Sequence, residues 1–390
     1  LLKGCIFVEQ LRNDFLLGYF LSLKPINQYQ PRRVISRPRH LQYLNGGIMS
    51  KYNMLILAVL ITVLSLPLSL GAISQASMLS LTFEPGGRAN GMGRAYSAVA
   101  DDAYAPWWNP GATAFNRKTQ LAGSHIPWLA GSGFDDMYYE YLGYNQYFEG
   151  IGNINAHLTL LDMGTQTQTD ENNNVIGEFH SFEAAGNVGY SYDVIPQQLG
   201  IGTNFKFVYS YLGPGQPTEP DGKAFGFAFD LGAKYQDFLT RGTNLSLVIQ
   251  NIGPNVTYID QEQSDPLPMT VRLGAAYEIL NAPMNKLLVS AEASKVLANE
   301  DPLLTRLFNT GWQHMDETIY GVGAEYTYLD LISLRGGYFL DTAGSVVGPS
   351  FGAGIQYTFS KKYKLTADFS MVPGGELVDF NKVFSLGFEF

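Results

Sequence analysis

The sequence predicts an all-β fold: a transmembrane antiparallel β-barrel of about 14 strands, with an N-terminal plug segment. Three observations point that way. Apolar and small residues alternate at period two in segment after segment. Long polar connections alternate with tight ones, and the chain ends on an aromatic strand. The composition agrees. Of 390 residues only 15% are charged while 13% are aromatic, with 24 Tyr, 24 Phe and 42 Gly. Soluble domains carry about 25% charged residues. A net charge of −10 argues against a nucleic-acid partner.

Taken in order, the chain begins at Leu1, and its first methionine is Met49. Residues 1–48, including PRRVISRPRH, are expected to be upstream sequence translated from a misplaced gene start. Residues 49–76 have the layout of an export signal: Lys51, an apolar run from Met54 to Leu70, then small residues including Ser74 and Ala76. A short membrane anchor is the alternative, but Pro67 and the small-residue exit favour a cleaved signal. The sole cysteine, Cys5, lies in the discarded part. The mature chain then has neither disulfides nor thiolate metal sites.

Residues 77–117 contain GGRANGMGRAYSAVADDAYAPWWNPGATAF, from Gly86 to Phe115. A phosphate-binding loop is the first reading to test, and it fails. Gly91 is followed by Met92, Gly93 and Arg94, not by the Lys and Ser/Thr such a loop requires. Placed before the first strand, the stretch reads as a plug. Its small residues allow close backbone packing, and GRAYSAVADDA is expected to form a short helix ended by Asp101 and Asp102. Those aspartates are expected to pair with Arg88, Arg94, or a lumen arginine such as Arg272 or Arg335, because an unpaired buried charge is costly. Trp107 and Trp108 are expected to pack in the core.

Residues 118–390 supply the barrel. Strands are expected near 118–126, 136–148, 151–161, 178–193, 198–211, 223–236 and 243–251. The second half adds 269–280, 285–297, 316–328, 331–340, 348–359, 362–371 and 381–390. In KAFGFAFDLGAKY, Phe225, Phe227, Phe229 and Leu231 take one face, and Gly226, Ala228, Asp230, Gly232 and Lys234 the other. A soluble sandwich would turn the greasy face inward; a membrane barrel turns it to lipid. The opposite face is mostly Gly, Ala and Ser with a few charges, which suits a filled lumen. Tyr235, Tyr277, Tyr326, Tyr328 and Phe359 fall at strand ends, where aromatic girdles belong.

Connections such as PWLAGSGFDD, DMGTQTQTDENNNVIG, GPGQPTEPDG, GPNVTYIDQEQSDPLP and ANEDPLLTRLFNTGWQHM are long and polar. Those between them are tight, and in such barrels the tight turns face the periplasm. The final KVFSLGFEF places Phe384, Leu386, Phe388 and the terminal Phe390 on one face.

The Gly86–Phe115 stretch resembles the entry segment of the PorV/PorQ family of outer-membrane barrels, relatives of FadL-type transporters. Gly87, Arg88, Ala89, Gly91, Met92, Gly93, Ala95, Tyr96, Ala98, Val99, Ala100, Asp101, Asp102, Ala105, Asn109 and Pro110 match its pattern. Arg94 stands where the family usually has a second glycine, and Gly111-Ala112 replaces Ala-Gly. Further matches lie at PLPMTVRLGAAYE, LRGGY and the C-terminal strand. The resemblance implies an outer-membrane location, contact with membrane lipids, and recognition of the last strand by the barrel assembly machinery.

No catalytic constellation appears. His125, His157, His180 and His314 lie far apart, without metal-binding or triad spacing. The run from Asp170 to Asn174 lacks the glycine and closing glutamate of a calcium loop. Neither a cofactor nor a metal is expected. The resemblance then leaves two functions. One is a type IX secretion component that binds exported cargo at its outer loops, where the apolar Tyr258, Leu304, Phe308 and Trp312 are candidate contacts. The other is a transporter of hydrophobic small molecules, gated by the plug near Asn109 and Pro110. The small, charged lumen face favours the first.

Overall fold

A computed structural model describes residues 76–170, 172–215, 220–259, 264–299, 301–360 and 362–390. The expected upstream segment 1–48 and nearly all of the expected signal 49–76 lie outside the described residues. The strands of the first half are β1 (Gln120–Pro127), β2 (Tyr138–Phe148), β3 (Gly152–Thr169), β4 (Val175–Ile195), β5 (Leu199–Gly213), β6 (Gly222–Tyr235) and β7 (Thr243–Ile252). The second half contains β8 (Thr270–Asn281), β9 (Asn285–Val296), β10 (Ile319–Tyr328), β11 (Ile332–Asp341), β12 (Val346–Phe359), β13 (Tyr363–Pro373) and β14 (Phe380–Glu389). Each pairs antiparallel with its sequence neighbours, and β1 pairs with β14, so the sheet closes on itself. Phe390 and Thr119 exchange backbone hydrogen bonds at 2.9 and 3.1 Å, carrying the seam to the last residue.

The side chains sort inside out. Leu142, Leu158, Val188, Phe225, Leu273, Leu334, Ile355 and Leu386 are exposed on the outer face, while Asn155, Lys206, Asp230, Arg272, Glu292 and Ser385 are buried within. A water-soluble sandwich cannot tolerate that inversion; a lipid-facing wall requires it. At the tight-turn end the rings of Phe359, Tyr363, Phe388 and Phe390 stack in a row, with successive centroids 5.3, 6.0 and 5.2 Å apart.

One long connection corrects the sequence reading. DMGTQTQTDENNNVIG is mostly strand: β3 and β4 continue to Thr169 and Val175, with register shifts along the way, and Asp170 N donates to Asn174 O at 2.9 Å where the chain reverses. Its alternating Thr and Gln are polar on both faces, so hydrophobic periodicity could not reveal it, although Thr suits strands. Asp170 accepts hydrogen bonds from the Asn172 and Asn174 backbones, both at 2.8 Å, which makes the run a turn.

Residues 76–117 lie against the inner face of the wall. The segment forms a 3-10 turn at Leu79–Thr82, helix α1 (Gly87–Gly91), helix α2 (Ala105–Trp108) and a 3-10 turn at Pro110–Phe115. The helix expected over GRAYSAVADDA does not form. Gly93 and Arg94 adopt φ of 62° and 61°, in the left-handed region, which ends α1 and leaves turns as far as Asp102. Left-handed backbone disfavours any residue with a Cβ. That is the physical meaning of the family's glycine at the position Arg94 holds.

Candidate functional site: the lined lumen and the long-loop end

The inner segment meets the wall at backbone distance because both surfaces carry glycine. A Cβ on Gly321, Gly323 or Gly337 would overlap the main chain of Met92 or Gly93. A Cβ on Gly111 would reach Gly232 O at 2.5 Å and Ala233 Cα at 2.8 Å, so glycine directly after Pro110 is what this wall admits. Asn109 fixes the same point. Its Oδ1 accepts from Gly111 N at 2.9 Å, and its Nδ2 donates to Ser97 O at 3.0 Å and Ala233 O at 3.1 Å. Pro110 follows at the first position of the turn, where a missing N–H is harmless. Gly87, whose amide donates to Ser385 Oγ at 2.6 Å, and Gly91, close to Gly352, seat α1 against β12–β14.

Charge pairing holds the rest. Arg272 on β8 donates to Glu84 at 2.9 Å, to Glu292 at 3.0 Å and to Gln250 at 2.7 Å. Its guanidinium also lies 5.1 and 5.2 Å from the rings of Trp107 and Trp108. Those two tryptophans are buried and packed edge to face, with Trp108 Nε1 donating to Pro85 O at 3.0 Å. Glu292 also accepts from the Tyr96 and Ser97 amides at 3.1 and 2.8 Å. The Arg272 guanidinium nitrogens and both carboxylates of this group have partners, which is the condition for a buried ion pair to persist.

A second chain runs from Arg88 to the wall. Arg88 makes two hydrogen bonds to Glu325, both 2.8 Å, and Glu325 also accepts from Arg335, which reaches on to Asp368; both of those contacts are 2.6 Å. Arg88 holds Asp101 at 2.5 Å and reaches Asp102 more weakly at 4.0 Å; Asp102 also accepts from Tyr96 OH at 2.6 Å and Tyr104 N at 3.0 Å. Neither Arg272 nor Arg335 pairs with these aspartates. Arg94 binds Glu84 at 3.0 Å instead, with its guanidinium over the Phe339 ring at 4.1 Å. Desolvation works to raise Asp101, but the Arg88 guanidinium together with the Lys234 and Lys364 charges holds the carboxyl below its ordinary value. Burial, with the Asp101 charge beside it, pushes Asp102 up.

Several lumen groups went unremarked in the sequence: Glu84, Glu292, Glu325 and Asp368, and Lys206, which pairs with Asp230 at 2.9 Å. Lys234 donates to the carbonyls of Val99 and Ala100, at 3.2 and 2.9 Å. The available signal was a charge standing among Gly, Ala and Ser on the smaller face of a strand. Below the segment a polar cavity of about 470 Å³ is lined by Arg88, Asp101, Asp102, Lys234 and groups of the tight turns, including Lys286 and Asp330.

The long-loop end has a different surface. Between β9 and β10, helix α3 (Leu303–Phe308) packs Leu303 and Leu307 against buried Met269, Val271 and Leu297. Leu304 and Phe308 face outward at 67% and 78% exposure, with Trp312 and Met315 exposed beside them. Tyr258 does not belong to this surface. It packs beside Met78, Leu81 and Val256, and its hydroxyl donates to Ser210 Oγ at 3.0 Å.

Among curated proteins no relative matches the sequence. Solved structures give distant likenesses. A deletion mutant of the monoaromatic hydrocarbon channel TodX shares 13% identity at a TM-score of 0.49, covering 78% of this chain and 97% of that one. The toluene transporter TbuX of Ralstonia pickettii shares 11% at 0.47, covering 78% and 98%. A FadL homologue of Pseudomonas aeruginosa shares 11% at 0.45, covering 82% and 99%. A family model described as type IX secretion system protein PorV matches residues 72–302, more than half of the chain. With the closed barrel, this match places the chain in the PorV family of type IX secretion system proteins.

Proposed function

We propose that this protein is an outer-membrane component of type IX secretion that receives exported cargo at its long-loop end, while residues 77–117 act as a fixed plug. The observation that carries the reading is the exposed apolar face of Leu304, Phe308, Trp312 and Met315 on a loop that is otherwise well packed. Exposed apolar groups clustered in this way mark interaction surfaces. The outward position of this end follows from the tight turns lying at the other.

A conduit for hydrophobic solutes is less well supported. The inner segment is in backbone contact with the glycines of β5, β6, β10 and β11. Its surroundings combine ion pairs and amides with a packed apolar cluster in which Met92, Tyr96, Trp107 and Trp108 meet Tyr139, Tyr141 and Leu161, so the segment is held in place by close packing. In the test, cells carrying Leu304→Ser with Phe308→Ser are crosslinked, and the barrel is recovered from outer membranes. Secreted proteins sharing a C-terminal domain should accompany the parental barrel, and roughly tenfold less should accompany the variant, since anchors of this kind dominate binding. Recovery of bound lipids without such proteins would overturn the reading in favour of the solute conduit.

A further inference from the structure

Beneath the exposed face of α3 lies a cation without a counterion among the described residues. Arg306 is 1% exposed, yet its Nε and Nη1 find no hydrogen-bond partner among the described residues. Among the described residues its one side-chain hydrogen bond is from Nη2 to Asn255 Oδ1 across the loops, long at 3.3 Å. Asp301 is near enough to act through its field but forms no ion pair with it. Elsewhere the chain treats buried arginines differently: Arg272 has two carboxylates and an amide, and Arg335 has two carboxylates. A buried charge left uncompensated destabilises the fold, and replacing it by an apolar residue is often favourable. An arginine kept in that state in one loop therefore calls for a ligand. The guanidinium fork matches a carboxylate, which can take two of its N–H groups at once.

The cover over Arg306 is a short helix packed through Leu303 and Leu307. Helix α3 is six residues long and lacks a side-chain N-cap. At this point the two loops are joined by the weak Asn255 contact. Pulling α3 outward by Leu304 and Phe308 would open the guanidinium to whatever has bound there.

We infer that Arg306 is a carboxylate-binding residue of the outer loops, reached by a peptide segment that seats apolar side chains on Leu304 and Phe308 and presents an acidic group between them. The inference rests on the cargo-receiving reading and adds the chemistry of what is recognised: an acidic, apolar peptide of the exported protein.

The test uses the full chain, purified in detergent, and a fluorescein-labelled peptide of Leu, Phe and Gly with two Glu and a free C-terminus. Matched peptides carry Gln for Glu, an amidated C-terminus, or both. The parental protein should bind the fully charged peptide about tenfold or more tighter than the neutral one, as charge-assisted hydrogen bonds warrant. The singly altered peptides show whether a side chain or the C-terminus supplies the carboxylate. Arg306→Met should erase the preference while retaining heat-modifiability and melting no lower than the parent. Arg306→Lys should give an intermediate preference. Equal binding of charged and neutral peptides by the parent, or a preference surviving in Arg306→Met, overturns the inference. So does sodium acetate raising the parental melting temperature, but not that of Arg306→Met, without any peptide preference: a free small anion would then be the ligand. If Leu304→Ser with Phe308→Ser still abolishes cargo capture while Arg306 proves silent, the inference fails and the cargo reading stands.

Discussion

Arg272 and Arg306 are both buried, at 5% and 1% exposure, but the company they keep is opposite. Arg272 sits inside the barrel among two glutamates, a glutamine and two tryptophan rings. Arg306 sits in the outer loops with one weak amide contact. The difference separates architecture from recognition. In the lumen Arg272 and Arg88 are matched by carboxylates of the segment or the wall, so the pairing fixes where the segment lies. In the loop the guanidinium has no carboxylate partner among the described residues, only the Asn255 amide.

Breaking the matched region should have the largest effect. Arg272→Met leaves Glu292, and in part Glu84, buried without a cation, making the lumen resemble the Arg306 site with the sign of charge reversed. Losing one partner of a buried pair costs about 3–5 kcal/mol. The barrel should still insert and remain heat-modifiable, but the inner segment should become protease-sensitive and the melting temperature should fall. Unchanged melting and protease resistance would mean that the network is not what holds the segment.

Crowding comes next. Gly323→Ala puts a methyl group into the Met92 main chain, and overpacking of this kind costs about 1–3 kcal/mol. The loss should appear in melting and in faster proteolysis near Met92. A variant as stable as the parent would show that wall and segment part easily.

The smallest effect is expected at the rim. Asp101 is 60% exposed although Arg88 lies 2.5 Å away. Pairs of this exposure contribute about 0–1 kcal/mol. Asp101→Ala should therefore leave melting and conductance near parental values, because Glu325 keeps Arg88 in place. A large loss would place the main anchor at the rim and weaken the contrast drawn with Arg306.

Much of this was legible in the sequence. The fourteen strands fall within a few residues of their period-two segments, except where β3 and β4 extend through Thr and Gln that are polar on both faces. The inner segment's glycines and its Asn-Pro pair stood out as a motif. Their partners could not be read, because Gly93 faces Gly337 and Asn109 faces Ala233 only after the wall closes. Asp101 and Asp102 looked like the anchors because they are adjacent and charged. Glu84 and Glu292, far apart in sequence and unremarkable locally, do that work with Arg272.

By itself, then, the sequence determined the local periods: which side of each strand faces lipid, where the tight turns fall, and that the chain closes on an aromatic strand. Those properties depend on neighbours one or two residues away, and the alternation of side chains along a strand expresses them directly. Tertiary structure alone decided which charges meet. Arg272 acquires its carboxylates, and Arg306 meets none among the described residues, through approaches between residues far apart in sequence; no local pattern records them, since ion pairing depends on distance in space and on exclusion of water.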